Sequence, residues 1–266
     1  MDGFPLLAGP CVLEDSERNV EIGRAVRDIA RDFGLQAWYK ASFDKANRSR
    51  LDAPRGPGLE EGLRLLAEVG EETGLPLLTD IHEAQQAERA AQVVDVIQIP
   101  AFLCRQTDLL VAAGRTGKVV NVKKGQWMSP EAMLGAVEKL RESGAAEVWV
   151  TERGTAFGYG DLIVDLRSFA RLEEATGART IFDGTHSVQQ PGLGAGGSSG
   201  GAPQHIPALV RGAVAAGCGG LFIETHPEPA TAPSDSTNML PLDQLPHLLK
   251  QVVAIRQVIA TSGDAG

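Results

Sequence analysis

Four side chains of metal-binding type stand far apart in this chain: Cys11, His186, Glu224 and Asp235. A sulfur, an imidazole and two carboxylates together suit a divalent transition metal such as zinc, iron or manganese. Their spacing forms no local motif, so other readings stand beside this one. Cys11, in "AGPCVLED", equally serves as a small buried hydrophobe or as a nucleophile. A lone histidine near a strand end is equally explained by a hydrogen bond. A second group is cationic: Lys40, Lys45, Arg48, Lys123 and Arg153. The formal net charge is −9, so cations gathered against that balance point to a ligand carrying phosphate or carboxylate. The competing explanation is a set of salt bridges to Asp80, Glu152 and Asp183.

These residues need elements to bring them together. Eight short apolar runs recur at 6–10, 37–43, 76–81, 96–101, 119–123, 148–153, 180–185 and 220–226, and each reads as a strand. Helical patterns lie between them. Ser16 is placed to cap a helix whose apolar face is Ile22, Val26, Ile29 and Phe33, with Gly34 as its stop. Leu59, Leu63 and Leu66 mark another, ending near Gly74. Ser129-Pro130-Glu131 is a start signal, followed by Met133, Val137 and Leu140 and a stop at Gly144. The last helix carries Leu245, Leu248, Leu249, Val252 and Ile259, before a polar tail at 261–266. Eight β-then-α steps in 266 residues predict a single (β/α)8 TIM barrel, which takes about 250 residues. A doubly wound sheet would call for a Gly-rich phosphate turn after the first strand, and "GPCVLED" is not one.

Polar residues fall at the C-terminal strand ends, the face that carries the site in such barrels. They are Cys11, Lys40, Asp80 with His82, Gln98, Asn121 with Lys123 and Lys124, Glu152 with Arg153, Asp183 with His186, and Glu224 with His226. In "VVNVKK", Asn121 and Lys123 share one face and Val120 and Val122 the other. That alternation sends the polar side into the barrel mouth and the apolar side onto the helices.

The composition is that of a soluble cytoplasmic protein, 43% hydrophobic and 22% charged. The acidic balance argues against nucleic-acid or anionic-membrane partners. Cys11, Cys104 and Cys218 show no zinc-finger or disulfide spacing, and the last two read as structural. The N-terminal ten residues lack the basic and apolar regions of a secretory signal, and no apolar run approaches a membrane span. The stretch "QQPGLGAGGSSGGAPQ", 189–204, has linker composition, but more barrel follows it, so it reads as a mobile lid.

Several longer stretches carry a resemblance over about residues 6–255. They include "AGPCVLED", "KASFDKANRS", "TDIHE", "QIPAFLCRQTDLL", "NVKKGQWMSP", "TERGTAFGYGDLIVDLRS", "FDGTHSVQQPG", "ETHPEP" and "PSDSTNMLPL". Together they resemble the 3-deoxy-D-manno-octulosonate 8-phosphate synthases, a (β/α)8 barrel family. The resemblance implies condensation of phosphoenolpyruvate with D-arabinose 5-phosphate, releasing inorganic phosphate, on the route to lipopolysaccharide. Carried onto this chain, it makes Lys40, Lys45, Gln98, Lys123 and Arg153 the phosphoenolpyruvate contacts. Asn47, Arg48 and Ser49 become the sugar-phosphate grip, with Asp80 and His82 grouped as substrate-binding. His186 is both catalytic and a metal ligand.

Arg105 is similar to a residue that reaches a neighbouring subunit's site, which implies a homotetramer. The cysteine in the first motif resembles the metal-dependent class, whose ligands fall on Cys11, His186, Glu224 and Asp235. The chain departs from the family at the lid: "SGGAPQH" lacks the usual arginine after Ser-Gly-Gly, and "GAGGSSG" lacks a charged residue. Two rival readings remain. One is the 3-deoxy-D-arabino-heptulosonate 7-phosphate synthases, which take erythrose 4-phosphate and carry a Lys-Pro-Arg-Thr-type motif where this chain has "KANRS". The other is a non-catalytic barrel that binds sugar phosphates.

Overall fold

The computed structural model describes residues 3–157, 160–194 and 199–262. The eight predicted runs form the strands β1 (Pro5–Gly9), β2 (Gln36–Lys40), β3 (Leu77–Asp80), β4 (Val96–Ile99), β5 (Val119–Lys123), β6 (Glu147–Glu152), β7 (Arg179–Asp183) and β8 (Gly220–His226). Each leads into a helix: α1 (Ser16–Asp32), α2 (Leu59–Thr73), α3 (Ala87–Ala91), α4 (Thr107–Arg115), α5 (Leu134–Glu142), α6 (Ser168–Thr176), α7 (Ile206–Ala215) and α8 (Leu245–Ser262). Neighbouring strands pair in parallel around the ring. β8 returns to β1 with Leu6 opposite Leu221 and Gly9 opposite Glu224. The sheet is therefore a closed (β/α)8 barrel.

Alternation along the strands divides the interior in two. Outward residues such as Leu6, Tyr39, Ile97, Val120, Val150, Phe182 and Ile223 join the core beneath the helices. Inward residues Leu7, Leu78, Val96, Trp149, Ile181 and Phe222 form a second cluster, against which Trp38 and Val119 pack. This cluster plugs the N-terminal half of the barrel, and burial of each such side chain contributes about 1.5–3 kcal/mol. Above it the inward positions turn polar: Lys40, Asp80, Gln98, Asn121, Lys123, Thr151, Asp183 and Glu224 are all buried. The plug leaves only one end of the barrel available for chemistry.

The helix ends differ in detail from the sequence reading. Asp15, not Ser16, caps α1: its carboxylate accepts the Arg18 N–H at 2.9 Å. A carboxylate one residue earlier reaches the third amide better, and the Ser16 hydroxyl donates to Glu68 instead. Ser129 does accept the Ala132 N–H, but a 3-10 turn over Glu131–Met133 precedes α5. Ile259 is exposed rather than buried, and Thr261 lies inside α8 rather than in a tail. Residues 263–266 of the expected tail lie outside the described residues.

Of the glycine-rich stretch, 195–198 lie outside the described residues, but its base is defined. Gln189–Gln190 pair antiparallel with Gly200–Gly201. Leu240–Pro241 pair in parallel with Thr225–His226 at the end of β8. Among the described residues, no helix is long and apolar enough to cross a membrane.

Candidate active site

A cavity of about 720 Å3 opens above the polar layer at the C-terminal end of the barrel. Lys40, Lys45, Asn47, Arg48, Ser49, Asp80, His82, Gln98, Lys123, Arg153, His186 and Asp235 all line it. Cys11 and Glu224 are buried and reach this group through Asp235 and His186. Arg105 is exposed and does not line the cavity of its own chain.

The cations are set by strand register. Lys40 ends β2 and Lys123 ends β5, both pointing inward and both nearly free of solvent. Lys40 Nζ lies 3.3 Å from Glu224 Oε1 and 3.6 Å from Asp80 Oδ1. Lys123 Nζ lies 2.5 Å from Asp183 Oδ2 and 3.6 Å from the centroid of the Phe222 ring, which roofs the apolar plug. Burial pulls the Lys123 ammonium below the usual lysine range, with Lys40 adding to it and Asp183 opposing. Lys45 goes the other way. Burial opposes its charge, but the Cys11 sulfur and the carboxylates of Glu224, Asp80 and Asp235 outweigh it and raise its affinity for the proton.

Ser42, which the sequence reading passed over, ties this corner together. Its hydroxyl accepts from Lys40 Nζ at 3.0 Å and from Lys45 Nζ at 3.2 Å, and donates to Asp80 Oδ1 at 2.5 Å. Its signal was its place two residues beyond Lys40, on the same face. Asp80 also holds His82 Nε2 at 3.1 Å. Burial alone would raise the Asp80 carboxyl, yet Lys40, His82 and Lys45 hold it well below the usual carboxylate range.

Arg153 closes the opposite wall. Its Nη2 donates to Gln189 Oε1 at 2.5 Å, while Nη1 is buried without a hydrogen-bond partner. A guanidinium with one unsatisfied face is a built acceptor site for an anion. Gln98 is oriented from below, because its Oε1 accepts from Asn121 and Asn121 in turn accepts from Thr151. That leaves the Gln98 Nε2 as its available donor. Arg48 reaches Pro54 O at 2.7 Å and Ser234 Oγ at 2.8 Å. It thereby links the loop after β2 to the loop of Asp235, with Asn47 and Ser49 exposed beside it at the rim.

The four residues of metal-binding type converge. Donor atoms of Cys11, Glu224 and Asp235 lie within 4.8 Å of one another. His186 Nε2 stands 3.6 Å from Glu224 Oε2 and 3.9 Å from Asp235 Oδ2. Asp183 holds His186 from behind: its Oδ2 is 2.7 Å from Nδ1 and its Oδ1 accepts the His186 backbone N–H at 2.8 Å. A carboxylate on Nδ1 leaves the Nε2 lone pair as the ligating atom. Asp235 sits at φ 50, the one non-glycine residue in the left-handed region among the described residues, a conformation that aspartate tolerates better than most.

Without a cation the Cys11 thiol is pushed well above its usual range, by burial first and then by the fields of Asp235 and Glu224. It accordingly donates to Asp235 Oδ2 at 2.9 Å. A buried thiol and two carboxylates in mutual reach, with an imidazole close to both carboxylates and backed by a carboxylate of its own, fit a divalent transition metal. Of the other cysteines, Cys104 and Cys218 are buried and free, and burial pushes Cys218 up to about 12.

Known proteins resemble the chain over nearly its whole length. A 2-dehydro-3-deoxyphosphooctonate aldolase of Syntrophotalea carbinolica is 53% identical, covering 96% of this chain and 91% of the relative. One of Nitratidesulfovibrio vulgaris is 55% identical, covering 94% and 91%. One of Rhodopseudomonas palustris is 52% identical, covering 93% and 86%. The model of the DAHP synthetase I family matches residues 2–261. With barrel, cavity and sequence in agreement over that span, the chain belongs to the DAHP synthetase I family.

Proposed function

We propose that this chain is an enzyme that condenses phosphoenolpyruvate with D-arabinose 5-phosphate to give 3-deoxy-D-manno-octulosonate 8-phosphate and inorganic phosphate. The observation that carries the reading is the cationic wall of buried Lys40, Lys123 and Arg153 and half-buried Lys45 around one cavity. It is joined there by the cluster of one thiol and two carboxylates, with the His186 imidazole beside the carboxylates. The reaction brings together two anionic substrates, and the relatives carry the name of such an enzyme.

In this reading, Lys123, Arg153 and Gln98 hold the phosphate and carboxylate of phosphoenolpyruvate. Lys40 and Lys45 face the reacting carbons, and Asn47, Arg48 and Ser49 grip the sugar phosphate at the rim. Carbon 3 of phosphoenolpyruvate bonds to the aldehyde carbon, whose oxygen takes a proton. Water adds at carbon 2 and gives up a proton, and phosphate leaves with its C–O bond electrons. Lys45, which its neighbours keep charged, would stabilise the negative charge that develops on the aldehyde oxygen. Cys11, His186, Glu224 and Asp235 would hold a zinc, iron or manganese ion, which supplies Lewis acidity toward an oxygen when bound. The exposed Arg105 belongs, in this reading, to a neighbouring subunit's cavity in a homotetramer. Cytoplasmic lipopolysaccharide-precursor synthesis is the role such a product would serve.

Phosphate release, assayed with each aldehyde before and after chelation and across a panel of divalent metals, tests this. Release with arabinose 5-phosphate, lost on chelation and restored by metal, is expected. Release with erythrose 4-phosphate alone would overturn the substrate assignment, and full activity in a verified metal-free preparation would overturn the metal.

A further inference from the structure

The loops that carry the candidate metal ligands are joined by a buried pair that does not itself face the cavity. His226 ends β8, two residues beyond Glu224, and is almost wholly buried. Its Nδ1 accepts the Glu228 backbone N–H at 3.0 Å. That bond fixes the tautomer: the ring proton sits on Nε2. Nε2 lies 2.9 Å from Glu14 Oε1, whose side chain is four-fifths buried. Glu14 is three residues beyond Cys11 in the loop between β1 and α1. Its backbone is fixed by Asn19, which accepts from Glu14 N at 3.1 Å and donates to Glu14 O at 3.0 Å.

The position of this pair gives it consequence. The β1–β8 ladder stops at Gly9 and Glu224, so Cys11 lies past the last paired residue of that seam. On its other side, the Cys11 loop is tied to the loop after β2, through Leu13 N to Ser42 O at 3.0 Å and Ser42 N to Cys11 O at 3.3 Å. Toward β8, the 2.9 Å contact between Glu14 and His226 bridges the opened seam. The backbone of His226 also pairs with Pro241, in the strand that follows the Asp235 loop. One residue therefore meets both flanking ligand loops, the Cys11 loop through its side chain and the Asp235 loop through its backbone, while its own strand carries Glu224.

We infer that the buried Glu14–His226 contact is a positioning element that holds the Cys11 sulfur in register with Glu224 and Asp235, and so sets metal affinity from outside the ligand set. The inference rests on the metal reading above. A buried imidazole nitrogen and a carboxylate in contact attract each other strongly in a low-dielectric interior, and removing either leaves the other stranded there at a cost. A ligand loop released from such a contact samples positions in which the sulfur is out of reach. Partners behind metal ligands typically control about 10- to 100-fold in affinity.

The test is Co(II) titration of the chelated full-length protein, followed by the thiolate-to-cobalt charge-transfer band and by elemental analysis, with thermal midpoints measured alongside. Wild type should show the band and Cys11→Asn should lose it. If wild type binds no cobalt at the four-ligand site, the metal reading and this inference both fall. Given that binding, Glu14→Ala should weaken cobalt affinity by about tenfold or more.

The His226 variants separate positioning from packing. In His226→Asn the amide oxygen replaces Nδ1 and keeps the Glu228 bond, but nothing reaches Glu14. In His226→Gln the amide nitrogen reaches the place of Nε2 and restores the donor. Asparagine should weaken affinity as Glu14→Ala does, and glutamine should stay near wild type. A merely structural pair would lower the thermal midpoint in both and leave cobalt affinity at the wild-type value. Equal affinity in wild type and His226→Asn would overturn the inference, including where Glu14→Ala fails to fold.

Discussion

Asp183 is the most heavily used side chain of the polar layer. One carboxylate serves Lys123 Nζ, His186 Nδ1, the His186 and Thr185 amides and the Thr185 hydroxyl. Burial opposes its charge, but His186 and Lys123 together hold it far below the usual carboxylate range. Asp183→Asn keeps the volume and removes the anion, so Lys123 loses its counter-charge and His186 its tautomer lock. Metal content and kcat are both expected to drop, by about 10- to 100-fold in affinity; wild-type values for both would show that Asp183 only fills space. Residues of this kind were half-legible in the sequence. The cations and the four metal-type residues could be singled out by type and by their place at strand ends. Asp183, also at a strand end, was legible as a salt-bridge partner of the cations, which it is for Lys123, but nothing in its neighbours announced its hold on His186. Ser42 and Gln189 gave less, because hydroxyls and amides are common and only the fold shows that Ser42 meets two lysines. The two explanations of the cationic group turn out to be compatible: Lys40 pairs with Glu224 and Asp80 while lining the cavity.

At the scale of elements, the strands were readable because alternation and β-branched runs are local properties. The polar inward positions then followed from parity, as Asn121 and Lys123 illustrate. Helix caps were readable only to within a residue, since Asp15 and Ser16 both satisfy the cap chemistry. The glycine-rich stretch was the least legible, because composition announces a loop and says nothing of its anchors. Its base is anchored at Gly201, where a Cβ would stand 1.7 Å from Asn238 Oδ1 and 2.6 Å from Thr237 O. Asn238 in turn leans on Asp235, and Gln189 across the ladder holds both Arg153 and Asp235. Gly201→Ala must therefore push the loop base away from the cavity. The local cost is about 1–3 kcal/mol. The expected result is a raised KM for phosphoenolpyruvate through Arg153, with a thermal midpoint lowered by no more than a few degrees. Unchanged KM would show that the ladder does not position the arginine.

For the molecule as a whole, the buried charged side chains balance among the described residues. Lys40, Lys123, Lys124 and Arg153 stand against Asp80, Glu152, Asp183 and Glu224. The barrel thus encloses a neutral lattice of ions, and each is expensive to strand. Proton linkage makes this measurable. Asp80 has a folded-state affinity for protons well below that of the unfolded chain, since Lys40, His82 and Lys45 outweigh its burial. A depressed carboxylate contributes stability that is fully present above its unfolded value, about 3.9. That contribution is lost as pH falls below this value toward the folded one, because the unfolded chain then takes up a proton the folded chain refuses. Wild-type thermal stability should therefore be nearly flat between pH 7 and 5, on the order of the usual plateau, and should fall steeply below about pH 4. Asp80→Asn should be less stable than wild type at neutral pH, where Lys40 and His82 lose their counter-charge. The gap should narrow as the pH drops below about 4, since protonation then removes from wild type what the substitution has already removed. A gap that holds constant from pH 7 to pH 3, about the span of the titration, would mean that the Asp80 charge contributes nothing to folding and that its hydrogen bonds act as neutral ones.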